Sequence, residues 1–280
     1  MHACFDTAFI DLPIFGDNRG MSPDHLFRPM LIAACLLVAG RALAAPESRS
    51  VRVDDLAFRV VDIDLAHEHL ELHWKDAADR PLASIDGLRR WGSEQGRSLL
   101  FATNAGIYDR QFHPLGLYVE DERTLRPLNT AQGTGRSGNF AMQPNGVFYL
   151  DRSGHAAVVT TQHWRDRRID ARLATQSGPM LVVDGAINPS FDAQSDSLKW
   201  RSGVCAETSQ HVVFAVSEVP VTFHAFARLF RDELGCRDAL YLDGTLSRIY
   251  TRGEGFFGAP DMMVKPYVGM FAIFTPSAPE

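Results

Sequence analysis

Four short segments set polar side chains and glycines directly against apolar, strand-like runs. Thr103-Asn104-Ala105-Gly106-Ile107-Tyr108-Asp109 follows the run from Leu99 to Ala102, and Gln176-Ser177-Gly178-Pro179 leads into Met180 to Val183. Lys199-Trp200-Arg201-Ser202-Gly203-Val204-Cys205 is the third, and Leu242-Asp243-Gly244-Thr245-Leu246-Ser247-Arg248, after Ala239 to Leu242, is the fourth. A polar group at a strand end stands at the rim of a sheet, where a rigid element fixes its geometry. A glycine beside it lets the main chain approach a ligand closely. Each segment also has a plainer reading. Asp-Gly after a strand is most often a turn, and a lone Arg is usually solvated. Two other chemistries are open to the residues. His67, His69 and His73 would share one face of an extended stretch and could hold a metal for P–O cleavage, although a polar turn entering a half-buried strand explains them as well. Ser177 lacks the Gly-x-Ser-x-Gly elbow of a serine hydrolase.

The elements that must position these groups are mostly strands. Val61-Asp62-Ile63-Asp64-Leu65 and Leu70-Glu71-Leu72-His73-Trp74 alternate apolar with polar residues, the pattern of a half-buried strand. Further strands are expected at 116–120, 146–150, 156–161, 180–183, 211–216, 239–242 and 268–274. Helices are few. One is expected from Phe223 to Leu234, with Thr222 as N-cap, a stripe of Phe223, Phe226, Ala227, Phe230 and Leu234, and Gly235 at its end. A second should run from Leu82 or Ser84 to Glu94. Many strands and few helices give an α+β (mixed α/β) fold class, with a central largely antiparallel or mixed sheet in a single compact domain. The polar stretches 131–139 and 188–197 read as long loops, which tend to form functional rims.

The ordered set Asn104-Ala105-Gly106, Pro114-Leu115-Gly116-Leu117, Ser177-Gly178-Pro179-Met180-Leu181-Val182, Arg201-Ser202-Gly203-Val204 and Asp243-Gly244 resembles the phosphodiester glycosidase family, in its exported bacterial branch. The strand, helix, glycine, strand unit from His211 to Asp243 adds to the likeness, which covers about residues 95–275. Two departures stand out: Asn104-Ala105-Gly106-Ile107 where the family usually has Asn-Gly-Gly-Phe, and Asp243-Gly244-Thr245-Leu246-Ser247 where it usually has Asp-Gly-Gly-Gly-Ser. The resemblance implies hydrolysis of a sugar bonded through its anomeric carbon to a phosphodiester, giving free sugar and a phosphomonoester. An oxocarbenium-like transition state needs a nearby carboxylate, and the phosphate needs a cation, a task that suits Arg. On this reading Asp243 is the nucleophile or general base, Arg201 clamps the phosphate with Arg248 as helper, and Asn104 completes the catalytic set. Ser177, Gly178, Gly106, Asp109, Gly244 and Ser247 contact substrate, with Glu207 a reserve carboxylate. The arrangement requires Asp243 and Arg201 to face one another across one cleft. No cofactor is expected, with a divalent cation left open. The partner is a small-molecule or glycan phosphodiester. The alternative is a non-catalytic glycan-binding or exopolysaccharide-assembly protein of the cell envelope.

Composition agrees with an ordinary globular chain: 280 residues, 45% hydrophobic, 22% charged, net charge −6. Interspersed charge of that sign argues against nucleic acid, which calls for a basic face. Residues 1–44 read as a leader outside the fold, with the fold itself from about residue 51 in a domain counted from 45. Met21 is a second candidate start. Arg28, the apolar run Met30 to Gly40 and Ala42-Leu43-Ala44 match a secretory signal. The run is too short for the roughly 20 residues of a membrane span, so a periplasmic or secreted mature protein without an integral membrane segment is expected. Ile32-Ala33-Ala34-Cys35 leaves lipid anchoring at Cys35 as the lesser alternative. Removal of the leader leaves Cys205 and Cys236, an even count that permits a disulfide in an oxidising compartment; two buried free thiols are the other reading.

Overall fold

The computed structural model describes residues 45–131, 138–244, 246–261 and 266–276. The leader, Thr245, Met262 and Met263 and most of the 131–139 stretch lie outside the described residues. From Ala45 onward these residues belong to one compact unit.

Three antiparallel sheets form it. The largest contains, in spatial order, β1 (Glu47–Val53), β2 (Leu56–Asp64), β13 (His211–Ser217), β12 (Arg201–Thr208), β14 (Ala239–Gly244), β10 (Met180–Val183) and β11 (Ala186–Ile187). The second is ordered β16 (Gly255–Gly258), β15 (Arg248–Thr251), β4 (Leu99–Asn104), β17 (Met270–Phe274) and β3 (Glu71–His73). The third is ordered β6 (Arg123–Arg126), β5 (Tyr118–Glu120), β9 (Ala171–Ser177), β7 (Gly146–Asp151) and β8 (Ala156–Thr160). Three α-helices accompany them: α1 (Ile85–Glu94), α2 (Thr161–Asp166) and α3 (Phe223–Arg228), the last continuing into a π-type turn at Leu229–Glu233.

The large sheet is buried on both faces, and its sequence shows why. Side chains alternate along a strand, and here both parities are apolar. Phe58, Val60, Cys205, Val213, Ala215, Ala239 and Tyr241 pack on the face covered by Phe226, Leu229 and Phe230 of α3 and its turn. Val61, Ile63, Val204, Val212, Phe214, Val216, Leu240 and Leu242 pack on the other, against Phe101 and Phe271 of the second sheet and Phe148 and Leu173 of the third. The two polar-alternating strands expected around Val61 and Leu70 exist, but they belong to different sheets.

Both expected helices form with their caps. Ser84 Oγ accepts from Gly87 N at 2.9 Å at the start of α1. Thr222 Oγ1 accepts from Ala225 N at 3.1 Å at the start of α3. Gly235, at φ +63°, ends the second helical segment, a conformation that costs other residues steric strain. The domain begins earlier than residue 51: Glu47–Val53 pairs along its length with β2. A chain whose alternating Ser and Arg residues face solvent carries too weak a hydrophobic signal to read as an edge strand. Cys205 and Cys236 are disulfide-bonded, which ties β12 to the end of the helical segment on the α3 face.

Candidate active site

The C-terminal ends of β4, β9 and β14 and the N-terminal end of β12 meet at one place, so three sheets contribute to it. Antiparallel pairing puts Ser202 opposite Asp243 and Arg201 opposite Gly244. One residue further along, the ladder slips: Gly203 faces Tyr241, so Leu242 is an extra residue on β14. Such a bulge bends the strand and re-aims the side chains that follow. Without it Asp243 would share the face of Tyr241, under α3. With it Asp243 shares the face of Ser202, toward the second sheet.

Hydrogen bonds hold the main chain around Asp243 on every side. Ser177 Oγ donates to the Leu242 carbonyl, freed by the bulge, at 3.0 Å. Ser247 Oγ donates to the Asp243 carbonyl at 2.7 Å. Asn104 Nδ2 donates to Ser202 Oγ at 2.9 Å, and Asn104 Oδ1 accepts from Arg248 N at 3.3 Å. Thr103 Oγ1 donates to the Arg248 carbonyl at 2.9 Å. Asn104, Ser177, Ser202 and Ser247 are all buried, so they set the position of Asp243 and Arg248 rather than reach into solvent. Gly178 likewise serves packing, since a Cβ there would lie 2.6 Å from Asn145 Cβ. Gly106, at φ +141°, sits against Thr175. Gly244 passes close to the Tyr241 hydroxyl, 2.3 Å from where its Cβ would be.

Asp243 itself is partly exposed. Its Oδ1 accepts from Gly244 N at 2.6 Å, and among the described residues no cation lies within salt-bridge distance. Burial in the surrounding protein pushes its carboxyl up to about 7, only partly opposed by the Gly244 bond. Its charge is felt by three tyrosines. Tyr108 is pushed up to about 12 by burial and by Asp243; Tyr241 and Tyr267 are raised for the same two reasons, burial being the larger. Tyr267 donates to the Leu246 carbonyl at 2.7 Å. Leu246, where the family usually has glycine, is buried beside Tyr267 and Met270.

The two arginines part company. Arg201 is 1% exposed. Neighbouring strand residues project to opposite faces, so Arg201 lies under α3 while Ser202 meets Asn104. Its Nε donates to the Val221 carbonyl at 2.8 Å, one Nη donates to the Ser197 carbonyl at 3.0 Å, and the guanidinium stacks 3.6 Å over the Phe223 ring. Burial lowers its pKa, an effect countered by the nearby Tyr241 hydroxyl. The structure therefore does not bring Arg201 and Asp243 face to face across a cleft. Arg248 is the cation whose charge reaches Tyr267 together with that of Asp243. Its guanidinium rests 4.3 Å over Phe256, one Nη meets Asp261 at 2.6 Å, and it lines a cavity of about 240 Å³ with Ser84, Asp86 and Tyr267.

Other expected residues go elsewhere. Asp109 Oδ1 accepts from the Gln111 and His113 amides, both at 2.9 Å, and so caps its own loop. Glu207 pairs with His211 at 2.5 Å, six residues along β12 from Arg201 and thus roughly 20 Å away. The three histidines do not form a metal site: His67 pairs with Asp64 in a turn, while His73 lies on β3 between Glu71 and Glu120. No group of three or more metal-ligating side chains converges among the described residues. The larger cleft, about 760 Å³, opens beside β3 at the far edge of the second sheet. It is lined by Lys75, Arg97, Arg123 and Arg172 and by Glu71, Asp76, Glu120 and Asp121, with Arg97 paired to Glu71. Burial there would raise Glu71, but hydrogen bonds from His73 and Arg97 outweigh it and hold the carboxyl at about 2. That is a locked ion pair. Asp243, with its carboxyl raised to about 7 and no cation beside it among the described residues, is the better candidate for chemistry.

The model of the phosphodiester glycosidase family matches residues 97–261, which include Asn104, Ser177, Arg201, Ser202, Asp243, Ser247 and Arg248. The chain belongs to the phosphodiester glycosidase family. This phosphodiester glycosidase relative is also 34% identical to the Escherichia coli K12 protein YigE over 208 residues, 74% of this chain and 77% of that protein. Solved structures share the fold at low identity. The catalytic domain of zebrafish N-acetylglucosamine-1-phosphodiester alpha-N-acetylglucosaminidase, auto-inhibited by its pro-peptide, superposes with a TM-score of 0.52 at 14% identity, over 82% of each chain. A putative exported protein of Burkholderia pseudomallei superposes at 0.51 with 11% identity, over 79% of this chain and 74% of its own.

Ser202 and Tyr108 fall in the polar segments read from the sequence but carry no role there, and Tyr241 and Tyr267 lie outside them. Strand parity was the available signal: residues 201, 203 and 205 must share a face, and Cys205 marks that face as core. The bulge at Leu242 left no local signature.

Proposed function

We propose that this phosphodiester glycosidase hydrolyses the glycosidic bond of a sugar-1-phosphodiester, with Asp243 as its base and Arg248 as its phosphate-binding cation. The observation that carries the proposal is Asp243, held where three sheets meet and without a cation partner among the described residues, its carboxyl pushed up to about 7 by burial, the range in which a carboxylate is an effective base at neutral pH. Water attacks the anomeric carbon and gives its proton to Asp243. As the new C–O bond forms, the bond from the anomeric carbon to the phosphate oxygen breaks, and the phosphomonoester leaves with the electron pair. A phosphate is a good leaving group, so the site needs no strong general acid. It needs a cation near the departing charge, and Arg248, whose amide shares Asn104 with Ser202 opposite Asp243, supports that role. Asn104 holds the Arg248 amide and Ser202 together; Ser177 and Ser247 fix the carbonyls flanking the Asp243 side chain. Arg201 then acts as a buttress of Tyr241 from beneath the sheet.

The proposal includes export to the periplasm or medium. The signal-like leader and the Cys205–Cys236 disulfide support it, since disulfides persist in oxidising compartments. The test is product analysis. Protein from residue 45 onward is incubated with the methyl phosphodiester of N-acetylglucosamine-1-phosphate. Free reducing sugar, absent with Asp243→Asn, is expected; sugar-1-phosphate or no product would contradict the reading and favour P–O cleavage or glycan binding without turnover.

A further inference from the structure

Among the described residues Phe112 is one of four large hydrophobic side chains with substantial exposure, at 44%. It also has a left-handed backbone, φ +59°, a conformation that strains a bulky L-residue. The loop that imposes this conformation is closed and cross-braced. Tyr108 and Pro114 form an antiparallel bridge. Asp109 N donates to the His113 carbonyl at 2.9 Å, Phe112 N donates to the Asp109 carbonyl at 3.1 Å, and the Asp109 carboxylate takes the two amides already named. The loop therefore spends strain to hold an aromatic ring outside the core, an arrangement that points to a function at the ring.

The ring is not isolated. It stacks on Tyr108 with centroids 5.7 Å apart and planes 20° from parallel. Tyr108 is half-buried and packs against the cluster that contains Leu246, Tyr267 and Met270, the wall beside Asp243. Phe112 thus leans on a ring anchored at the candidate site and keeps 44% of its surface exposed. Flat aromatic faces pair with the C–H faces of pyranose rings, and the site as proposed must hold such a ring next to a carboxylate and a guanidinium that grip only its polar groups.

We propose that Phe112, seated on Tyr108, is the platform for the apolar face of the sugar ring at this site. The inference rests on the hydrolase reading for its substrate class, and it makes the Asp109–His113 loop a specificity element. Rings with an unbroken apolar face will be held better than those whose axial hydroxyls interrupt it.

The experiment separates the two ideas. Binding of the methyl glycoside of N-acetylglucosamine is followed by saturation-transfer NMR and titration in an Asp243→Asn background, where turnover plays no part. Hydrolysis of the phosphodiester is followed in the Asp243 protein. Phe112→Gly removes the ring and relieves the positive φ, so its thermal midpoint should hold or rise, while sugar affinity falls and KM rises about three- to tenfold with little change in kcat. Phe112→Trp should restore both. Unchanged affinity and KM in Phe112→Gly, or no saturation transfer to the sugar ring in the parent, would overturn the platform. Intact sugar binding that needs Phe112, combined with no hydrolysis by the parent, would overturn the hydrolase reading alone.

Discussion

The side-chain amide of Asn104, at the end of one sheet, donates to the hydroxyl of Ser202, in another, at 2.9 Å. Ser202 stands opposite Asp243 in the strand ladder, and the other end of the Asn104 amide accepts from the Arg248 backbone. One buried side chain therefore sets the spacing between the candidate base and the candidate cation. Asn104→Ala should leave the Arg248 amide and the Ser202 hydroxyl short of a partner, lowering stability by about 2 kcal/mol and lowering turnover at least tenfold. Denaturant melts and initial rates on the same samples check both.

Asp243→Asn should abolish most turnover and stabilise the fold. The carboxyl has its pKa raised from 3.8 to about 7 in the folded protein. Between those values the native state keeps a proton that the unfolded chain has released, so stability falls as pH rises from about 4 to about 7 and the full cost is present above. Asn removes that cost. The variant should exceed the parent by at most about 4 kcal/mol at pH 8 and match it near pH 4. Urea melts at the two pH values test this; a variant less stable than the parent at pH 8 would make Asp243 a structural residue.

The same shift sets the rate profile. A base must be ionised, so kcat/KM should climb tenfold per pH unit on the acid side and level off above about 7. A profile already flat from pH 5 upward would assign the base to a different group.

Arg248→Ala should raise KM for a phosphodiester substrate by tenfold or more, in line with the loss of a charge-assisted contact, while leaving the affinity for a neutral methyl glycoside unchanged. Loss of affinity for both ligands would mean that Arg248 shapes the site instead of binding phosphate.

The disulfide closes a segment of 31 residues. Cys205→Ala with Cys236→Ala should cost about 4 kcal/mol in the chain-entropy picture, measurable as a shifted unfolding midpoint that added reductant reproduces in the parent protein.

Much of this was legible in the residues. Fold class followed from alternation and from two capped helices, and the polar segments at Asn104, Ser177, Arg201 and Asp243 do converge from three sheets. Facing was less legible. Arg201 looked like a phosphate ligand because of its type, yet strand parity with Cys205 puts it beneath α3. The face of Asp243 depends on the extra residue at Leu242, a register property shared between two strands forty residues apart in sequence. β1 is not legible because Ser48 and Arg49 give no apolar pattern, nor is the exposure of Phe112, because an aromatic in a left-handed turn contradicts local preference.

The most direct test of Asp243-assisted attack at the anomeric carbon is hydrolysis of the methyl phosphodiester of N-acetylglucosamine-1-phosphate in oxygen-18 water, read by mass spectrometry. Label should enter the anomeric hydroxyl of the released sugar and be absent from the phosphomonoester. Label in the phosphate, or release at the parent rate by Asp243→Asn, would contradict it.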